Sequence, residues 1–199
     1  YLGNKVGRPV QFVHRRTSRE AMEMLETGEY DFSWINSYSY AKYRQAKFFE
    51  LMAVPVFEGK PLCRSYIVVN INRSFRTIGD LEKRVFAYSE PDSNSGYILP
   101  RQMLSDLGRN PEGFFRHTFF TYSHMETIEA VAAQVAEGAA VDSCVWEYLN
   151  RREPRLTAKT KVIQQSETFG FPPLVYRTNM DAELRARMTE VLLTMDKNP

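Results

Sequence analysis

Val85-Phe86-Ala87-Tyr88-Ser89-Glu90-Pro91-Asp92-Ser93-Asn94-Ser95-Gly96-Tyr97 joins an apolar strand to a cluster of turn formers that runs into a helix. At a helix N-terminus the free backbone N–H groups and the partial positive charge of the dipole meet at one spot. Ser93, Asn94 and Ser95 add side-chain donors there, and Gly96 lets another backbone approach closely. Such a turn holds a small anion. The same residue types also make a plain helix cap through Ser93 or Asn94, and the local sequence leaves both uses open.

Outward from this turn, strands and helices alternate. Toward the N-terminus, Gly7 stops a helical turn and Val10 to Val13 is a short apolar run that predicts a strand. Thr17-Ser18-Arg19-Glu20 has capping-box spacing and opens a helix with Ala21, Met24 and Leu25 on one face, stopped by Gly28. Strands are expected at Tyr30 to Ile35, Leu51 to Phe57 and Ser65 to Asn70, with a helix over Tyr38 to Lys47. Beyond the turn, a helix runs to about Leu107 with Gly108 as its stop, and a strand follows around Phe115 to Thr121. Met125 to Ala136 carries Ile128, Val131, Ala132 and Val135 at helical spacing, ahead of Gly138 and a strand at Val141 to Val145. The segment Asp181 to Met195 closes the chain as an amphipathic helix. This alternation implies parallel sheets flanked by helices. Glu26-Thr27-Gly28-Glu29-Tyr30-Asp31 and Glu137-Gly138-Ala139-Ala140-Val141-Asp142 echo one another, which suggests two similar α/β units of about 100 residues each.

Composition narrows the function. The 199 residues are 43% hydrophobic and 25% charged, the profile of a globular protein. There is no apolar run of the roughly 18 residues that a membrane helix needs. Lys+Arg number 26 against 24 Asp+Glu, a net charge of +2 scattered along the chain, which argues against nucleic acid as a partner. The densest basic cluster, Arg151, Arg152 and Arg155, reads as a solvated loop. Two cysteines, Cys63 and Cys144, are too few for a disulfide scaffold or a metal knuckle and read as buried thiols. Three scattered histidines, with no His-Glu-x-x-His, P-loop or Gly-x-Ser-x-Gly, give no support for an enzyme, a metal centre or a cofactor.

Asp92-Ser93-Asn94-Ser95-Gly96-Tyr97-Ile98-Leu99-Pro100 resembles the Ser-Thr-Ser-Gly-Tyr…Pro signature of the PhnD-like phosphate, phosphite and phosphonate periplasmic solute-binding proteins of ABC transporters. Gly7-Arg8-Pro9-Val10 is similar to that family's lead into its second strand. Tyr30 to Ile35 with Ser37-Tyr38-Ser39-Tyr40-Ala41 is similar to its Asp-strand-loop-Ser-Tyr pattern. Tyr66 to Val69, Ile78 to Lys83, and His124 ahead of Ala130-Val131, Gly138 and Asp142 complete five elements in register.

The resemblance implies a two-lobed α/β type II periplasmic binding fold, with parallel or mixed sheets flanked by helices, two crossover hinge strands, and ligand held in the cleft. Lobe one is expected over residues 1–70 and 168–199, lacking its first strand, and lobe two over 71–167. Family members are longer, so further segments are expected outside these 199 residues at both ends. No export signal lies within the chain, and the resemblance alone implies a periplasmic or membrane-anchored extracytoplasmic location.

The resemblance assigns ligand contacts to Tyr40 from lobe one and to Ser93, Asn94, Ser95, Gly96 and His124 from lobe two. Asn94 departs from the family's usual Thr. A His124 in contact with a dianion is expected to favour its cationic form, so that binding weakens as pH rises. Trp34 and Trp146 are expected as pocket walls or core. Relatives that bind aminoalkylphosphonates carry an acidic group in a Pro-Asn-Asp-like segment. Here the matching Phe169 to Val175 has no carboxylate, which favours phosphate, phosphite or a short alkylphosphonate, although Glu147 offers a charge. The implied partners are the small anion and an ABC permease in the membrane, and the expected state is a monomer. The same lobe pair also serves as the input domain of sensor kinases, the alternative expectation.

Overall fold

The computed structural model describes residues 1–197. They divide into two compact units, one of residues 1–56 with the described residues from Phe171 onward and the other of residues 57–170.

Helix α1 (Leu2–Val6) ends where Gly7 turns left-handed at φ 72°, its N–H donating to the Gly3 carbonyl. Helix α2 (Ser18–Glu26) is opened by the expected cap, Thr17 Oγ1 accepting from the Glu20 N–H at 3.2 Å; the second bond of the expected capping box is displaced by one residue, Glu20 Oε2 accepting from the Arg16 N–H at 3.1 Å. Its most buried side chains are Met22 and Leu25. Strand β1 (Phe32–Trp34) follows, then helix α3 (Ser37–Tyr43), capped by Asn36 Oδ1, and strand β2 (Phe49–Ala53).

The second unit then begins with β3 (Leu62–Cys63) and β4 (Ser65–Asn70). A 3₁₀ turn at Ile78–Leu81 leads to β5 (Val85–Tyr88), a π-helical turn at Asn94–Ile98, and helix α4 (Leu99–Asp106). Next come β6 (His117–Phe120), α5 (His124–Ala132), β7 (Gly138–Asp142), α6 (Ser143–Arg152), α7 (Pro154–Thr157), β8 (Thr160–Gln165) and β9 (Phe169–Gly170). The chain returns to the first unit with β10 (Leu174–Arg177) and α8 (Ala182–Thr194), whose N-cap is Asp181.

In the first unit the sheet has order β1-β10-β2, and both pairings are antiparallel. The parallel arrangement expected from alternation fails here because the strand between β1 and β2 comes from the far end of the chain. The strand expected at Val10 to Val13 is absent: these residues have no ladder partner, and an extended segment without one leaves its backbone groups to water. Phe12 is accordingly 72% exposed. Met22, Leu25, Ile35, Phe49 and Val175 form one core on this unit, and Val6, Met52, Tyr176 and Met188 another.

The second unit carries a mixed sheet of order β6-β5-β7-β4-β8. β5 runs parallel to β6 and β7, whereas β4 is antiparallel to both β7 and β8. Because strand side chains alternate between faces, Ile67 and Val69 enter one core with Phe86 and Leu104, while Val68 enters another with Ala87, Ile128 and Val131. Helices α4 and α5 thereby cover opposite faces.

Several sequence expectations shift. Strand β4 belongs to the sheet of the second unit, so the observed divisions fall at 56/57 and 170/171 rather than at 70 and 168. The apolar run Val141 to Val145 is not one strand: Asp142 ends β7 and caps α6, whose first residue is Ser143. Arg151 and Arg152 end α6 and Arg155 lies in α7, so this basic cluster is helical. The internal echo is local only, since Gly28 follows a helix with φ 81° whereas Gly138 is already within β7.

Candidate functional site

The C-terminal end of β5 delivers the chain into the loop Ser89 to Ser93, and the helix of residues 94–106 begins there. Ser93 has an extended backbone and its Oγ accepts from the Gly96 N–H at 2.9 Å. Its carbonyl receives the N–H groups of both Tyr97 and Ile98, at 3.1 and 3.0 Å, which makes the first turn wide. The N–H groups of Asn94 and Ser95 come before the first N–H that the turn itself satisfies, that of Gly96, and so have no acceptor within the helix. Cap and anion site are therefore compatible at Ser93: its oxygen accepts from Gly96 while its own O–H remains a donor. The Asn94 side chain is half-buried and makes no hydrogen bond among the described residues.

Ser95 is held differently. Its hydroxyl donates to Asp142 Oδ2 at 3.3 Å and its carbonyl accepts from Ser65 Oγ at 2.6 Å, so the side chain fastens the helix start to β7 and the backbone fastens it to β4. Gly96 packs against the end of β5, and a Cβ there would stand 1.8 Å from Ser89 Oγ and 2.7 Å from Ser89 Cβ. No side chain larger than hydrogen fits. Ser89 Oγ is itself buried and has no hydrogen-bond partner among the described residues.

His124 is the first residue of α5, whose cap is Ser123. Its Nδ1 accepts from the Asp142 N–H at 3.2 Å, which fixes the neutral ring with its proton on Nε2. Burial pushes the imidazole pKa below its ordinary value, and the carboxylates of Asp142 and Glu90 only partly oppose this. In the ligand-free protein the direction is thus opposite to the one expected for a dianion contact. Asp142 is the residue that sequence reasoning left out of the site. Beyond Ser95 and His124, its Oδ1 accepts from the Cys144 N–H at 2.8 Å. Its signal was an Asp ahead of Ser143 at the end of an apolar run, a helix cap read there as strand.

The cluster supplies donors, namely two backbone N–H groups, the Ser93 hydroxyl, the Asn94 amide and His124 Nε2–H. The imidazole nitrogen that would act as a base is taken by a backbone N–H, and the Ser95 hydroxyl faces a carboxylate. Donors of this kind suit an anion.

The sequence model of the family described as ABC transporter, phosphonate, periplasmic substrate-binding protein matches residues 1–199. The chain belongs to that family. Among solved structures it is similar to a binding-protein component of an ABC phosphonate transporter from Pseudomonas aeruginosa, with a TM-score of 0.82 and 20% identity over 95% of this chain and 64% of that one. It thus spans less than two thirds of that protein's length. PhnD1 from Prochlorococcus marinus, solved in complex with methylphosphonate, gives a TM-score of 0.83 at 20% identity over 96% of this chain and 74% of that one. A histidine kinase sensor domain with similarity to periplasmic binding proteins gives 0.65 at 20% identity, over 98% and 76%. These likenesses establish the type II periplasmic binding fold. The family is one of transporter binding proteins and is extracytoplasmic, and among the described residues no helix is long and apolar enough to cross a membrane.

Of the residues singled out from the sequence of this phosphonate-binding family member, Ser93, Asn94, Ser95, Gly96 and His124 belong to the second unit, where Asp142 links Ser95 to His124. Tyr40 lies on α3 of the first unit, half-buried with its ring edge-on to Phe49 at 5.9 Å. Trp34 is 59% exposed, its Nε1 donating to the Pro172 carbonyl, so it is not core. Trp146 packs on Tyr66 and donates to Thr160. Glu147 accepts from the Tyr66 hydroxyl, and burial together with this carboxylate pushes the phenol pKa up to about 12.

Proposed function

We propose that this chain captures a phosphorus oxyanion, namely phosphate, phosphite or a short alkylphosphonate, for uptake through an ABC permease, without turning it over. The observation that carries this reading is the start of the 94–106 helix, where the Asn94 and Ser95 N–H groups stand beside the Ser93 hydroxyl. Membership of the phosphonate-binding family supports it, as does the methylphosphonate bound to PhnD1. Asn94 and His124 Nε2–H are the further donors from this unit. The family resemblance adds Tyr40 as a donor from the first unit. Ser95 contributes its backbone N–H, its hydroxyl being engaged by Asp142.

Hydrogen bonds to a charged group contribute about 1.5–3 kcal/mol each. A micromolar site needs about 8 kcal/mol. Five such bonds contribute about 7.5–15 kcal/mol, a range that reaches micromolar affinity without an arginine. The stretch from Phe169 to Val175 offers no carboxylate to an ammonium group, which favours ligands without one.

Calorimetry of ligand-free, refolded protein against phosphate, phosphite, methylphosphonate and 2-aminoethylphosphonate tests both parts. Heat is expected from at least one of the first three, at micromolar affinity or better. Silence from all four contradicts the function, and tightest binding of the amine-bearing ligand contradicts the substrate preference. The fold of the kinase sensor domain favours one second reading, a ligand-sensing input domain. The gene sequence flanking these residues separates the two: a lipoprotein signal upstream indicates transport, and a membrane helix followed by kinase sequence downstream indicates sensing.

A further inference from the structure

Cys63 and Cys144 play no part in the anion site, yet the backbone places them face to face. In the β4–β7 ladder Ser65 stands opposite Asp142. One step outward, Arg64 and Ser143 exchange two hydrogen bonds, the Ser143 N–H to the Arg64 carbonyl at 3.0 Å and the Arg64 N–H to Ser143 Oγ at 2.9 Å. Beyond them stand Cys63, the last residue of β3, and Cys144, in the first turn of α6. Their Sγ atoms are 2.8 Å apart, and both residues are buried and free.

Asp142 completes a cluster of three metal-ligating side chains whose donor atoms lie within 4.8 Å of one another. A cation fits this cluster poorly. Both carboxylate oxygens are already used, by the Cys144 N–H and the Ser95 hydroxyl. Two thiolates on tetrahedral zinc also stand about 3.8 Å apart, from zinc–sulfur bonds near 2.3 Å. The observed separation of 2.8 Å is about 1 Å too short for two sulfurs sharing one zinc.

We propose that Cys63 and Cys144 are a disulfide site: a dithiol that closes into a covalent bond between β3 and the start of α6 when the protein meets a disulfide oxidant. The extracytoplasmic location of the family supplies such an oxidant, and the cross-link does not depend on which anion, if any, the chain binds.

Cys144 makes the first attack. It lies in the first turn of α6, where helix N–H groups favour a thiolate, and it is the less buried of the two at 8% exposure against 2%. The hydrogen bond from the Cys63 thiol lowers the Cys144 pKa and raises that of Cys63. The Cys144 thiolate attacks one sulfur of an oxidant disulfide RSSR, forming a Cys144–SR mixed disulfide and releasing RS⁻. Cys63 then gives up its proton and attacks Cys144 Sγ, expelling the second RS⁻. The two protons leave with the two thiolates as 2 RSH, the protein is oxidised by two electrons, and RSSR is reduced. The bond would tie β3 to the start of α6, next to the Asp142 carboxylate that holds Ser95.

The test uses the full chain, reduced and then treated with oxidised glutathione, both as folded protein and during refolding from denaturant. Each sample is quenched by denaturation in an alkylating agent. The expected result is loss of both alkylations, a mass lower by two hydrogens, and a Cys63–Cys144 linked peptide in a non-reducing digest. The oxidised protein is also expected to melt about 10 °C above the reduced one, given the long loop that is closed. In Cys63→Ser the reaction is expected to stop at a glutathione adduct on Cys144. Full alkylation of both cysteines after both treatments, or glutathione adducts on each in place of the linked peptide, overturns the proposal.

Discussion

Gly96 shows how one missing atom shapes the site. Its Cα lies against the end of β5, with Ser89 Oγ 1.8 Å from where a Cβ would stand. Gly96→Ala is therefore expected to destabilise the second unit by about 1–3 kcal/mol, the usual cost of overpacking. Adding Ser89→Gly removes the obstructing atoms and is expected to restore most of that loss in chemical denaturation. No recovery in the double variant would show that the glycine is needed for another reason. His124 makes a prediction of the opposite kind, about charge. Burial lowers its pKa in the folded protein, so below the ordinary histidine value of about 6.5 the unfolded chain binds more protons and stability falls as pH falls toward the lowered value. His124→Asn keeps an acceptor for the Asp142 N–H but does not titrate. Denaturation across pH 5–8 is expected to show the wild type losing stability relative to this variant on the acid side, and parallel profiles would contradict the assignment. The residue types of the site were legible in the sequence, because Ser, Asn and Gly at a strand-to-helix turn carry a specific chemistry. Their individual duties were not. Whether the Ser95 hydroxyl faces a ligand or a carboxylate is decided by Asp142, which only the folded sheet brings to it.

At the scale of elements, local signals gave helix starts and stops accurately where the chemistry is local. Thr17, Gly7, Gly108 and Asp181 all stand where their side chains or their freedom of φ require. Thr17→Ala removes the hydroxyl that accepts the Glu20 N–H and is expected to cost about 1 kcal/mol. Hydrogen exchange should show the α2 amides opening several-fold faster, and unchanged rates would mean that packing of Met22 and Leu25 alone holds the helix. Strand pairing was less legible. An apolar run states that a segment is buried but not which partner it takes, so Val10 to Val13 looked like a strand until no ladder was found for it. Asp142 likewise divided a run that hydrophobicity alone had joined. The π-helical first turn at Asn94–Ile98 was beyond sequence reasoning, since it follows from Ser93 accepting two N–H groups through one carbonyl.

On the scale of the whole molecule, residues 57–170 are inserted between two segments that together make the first unit. The β10 strand completes this plan by returning between β1 and β2, and its antiparallel pairing there depends on a contact across most of the chain. The two-unit α/β plan was legible because five motifs fall in family order. The boundaries were not, because a strand leaving one unit and entering the other carries the same apolar signature on either side. The central claim is that the start of the 94–106 helix holds the phosphorus group. A crystal structure of the methylphosphonate complex tests it most directly. The phosphonate oxygens are expected within hydrogen-bond distance of the Asn94 and Ser95 N–H groups and His124 Nε2, and a phosphonate bound elsewhere, with this turn unoccupied, would contradict the account.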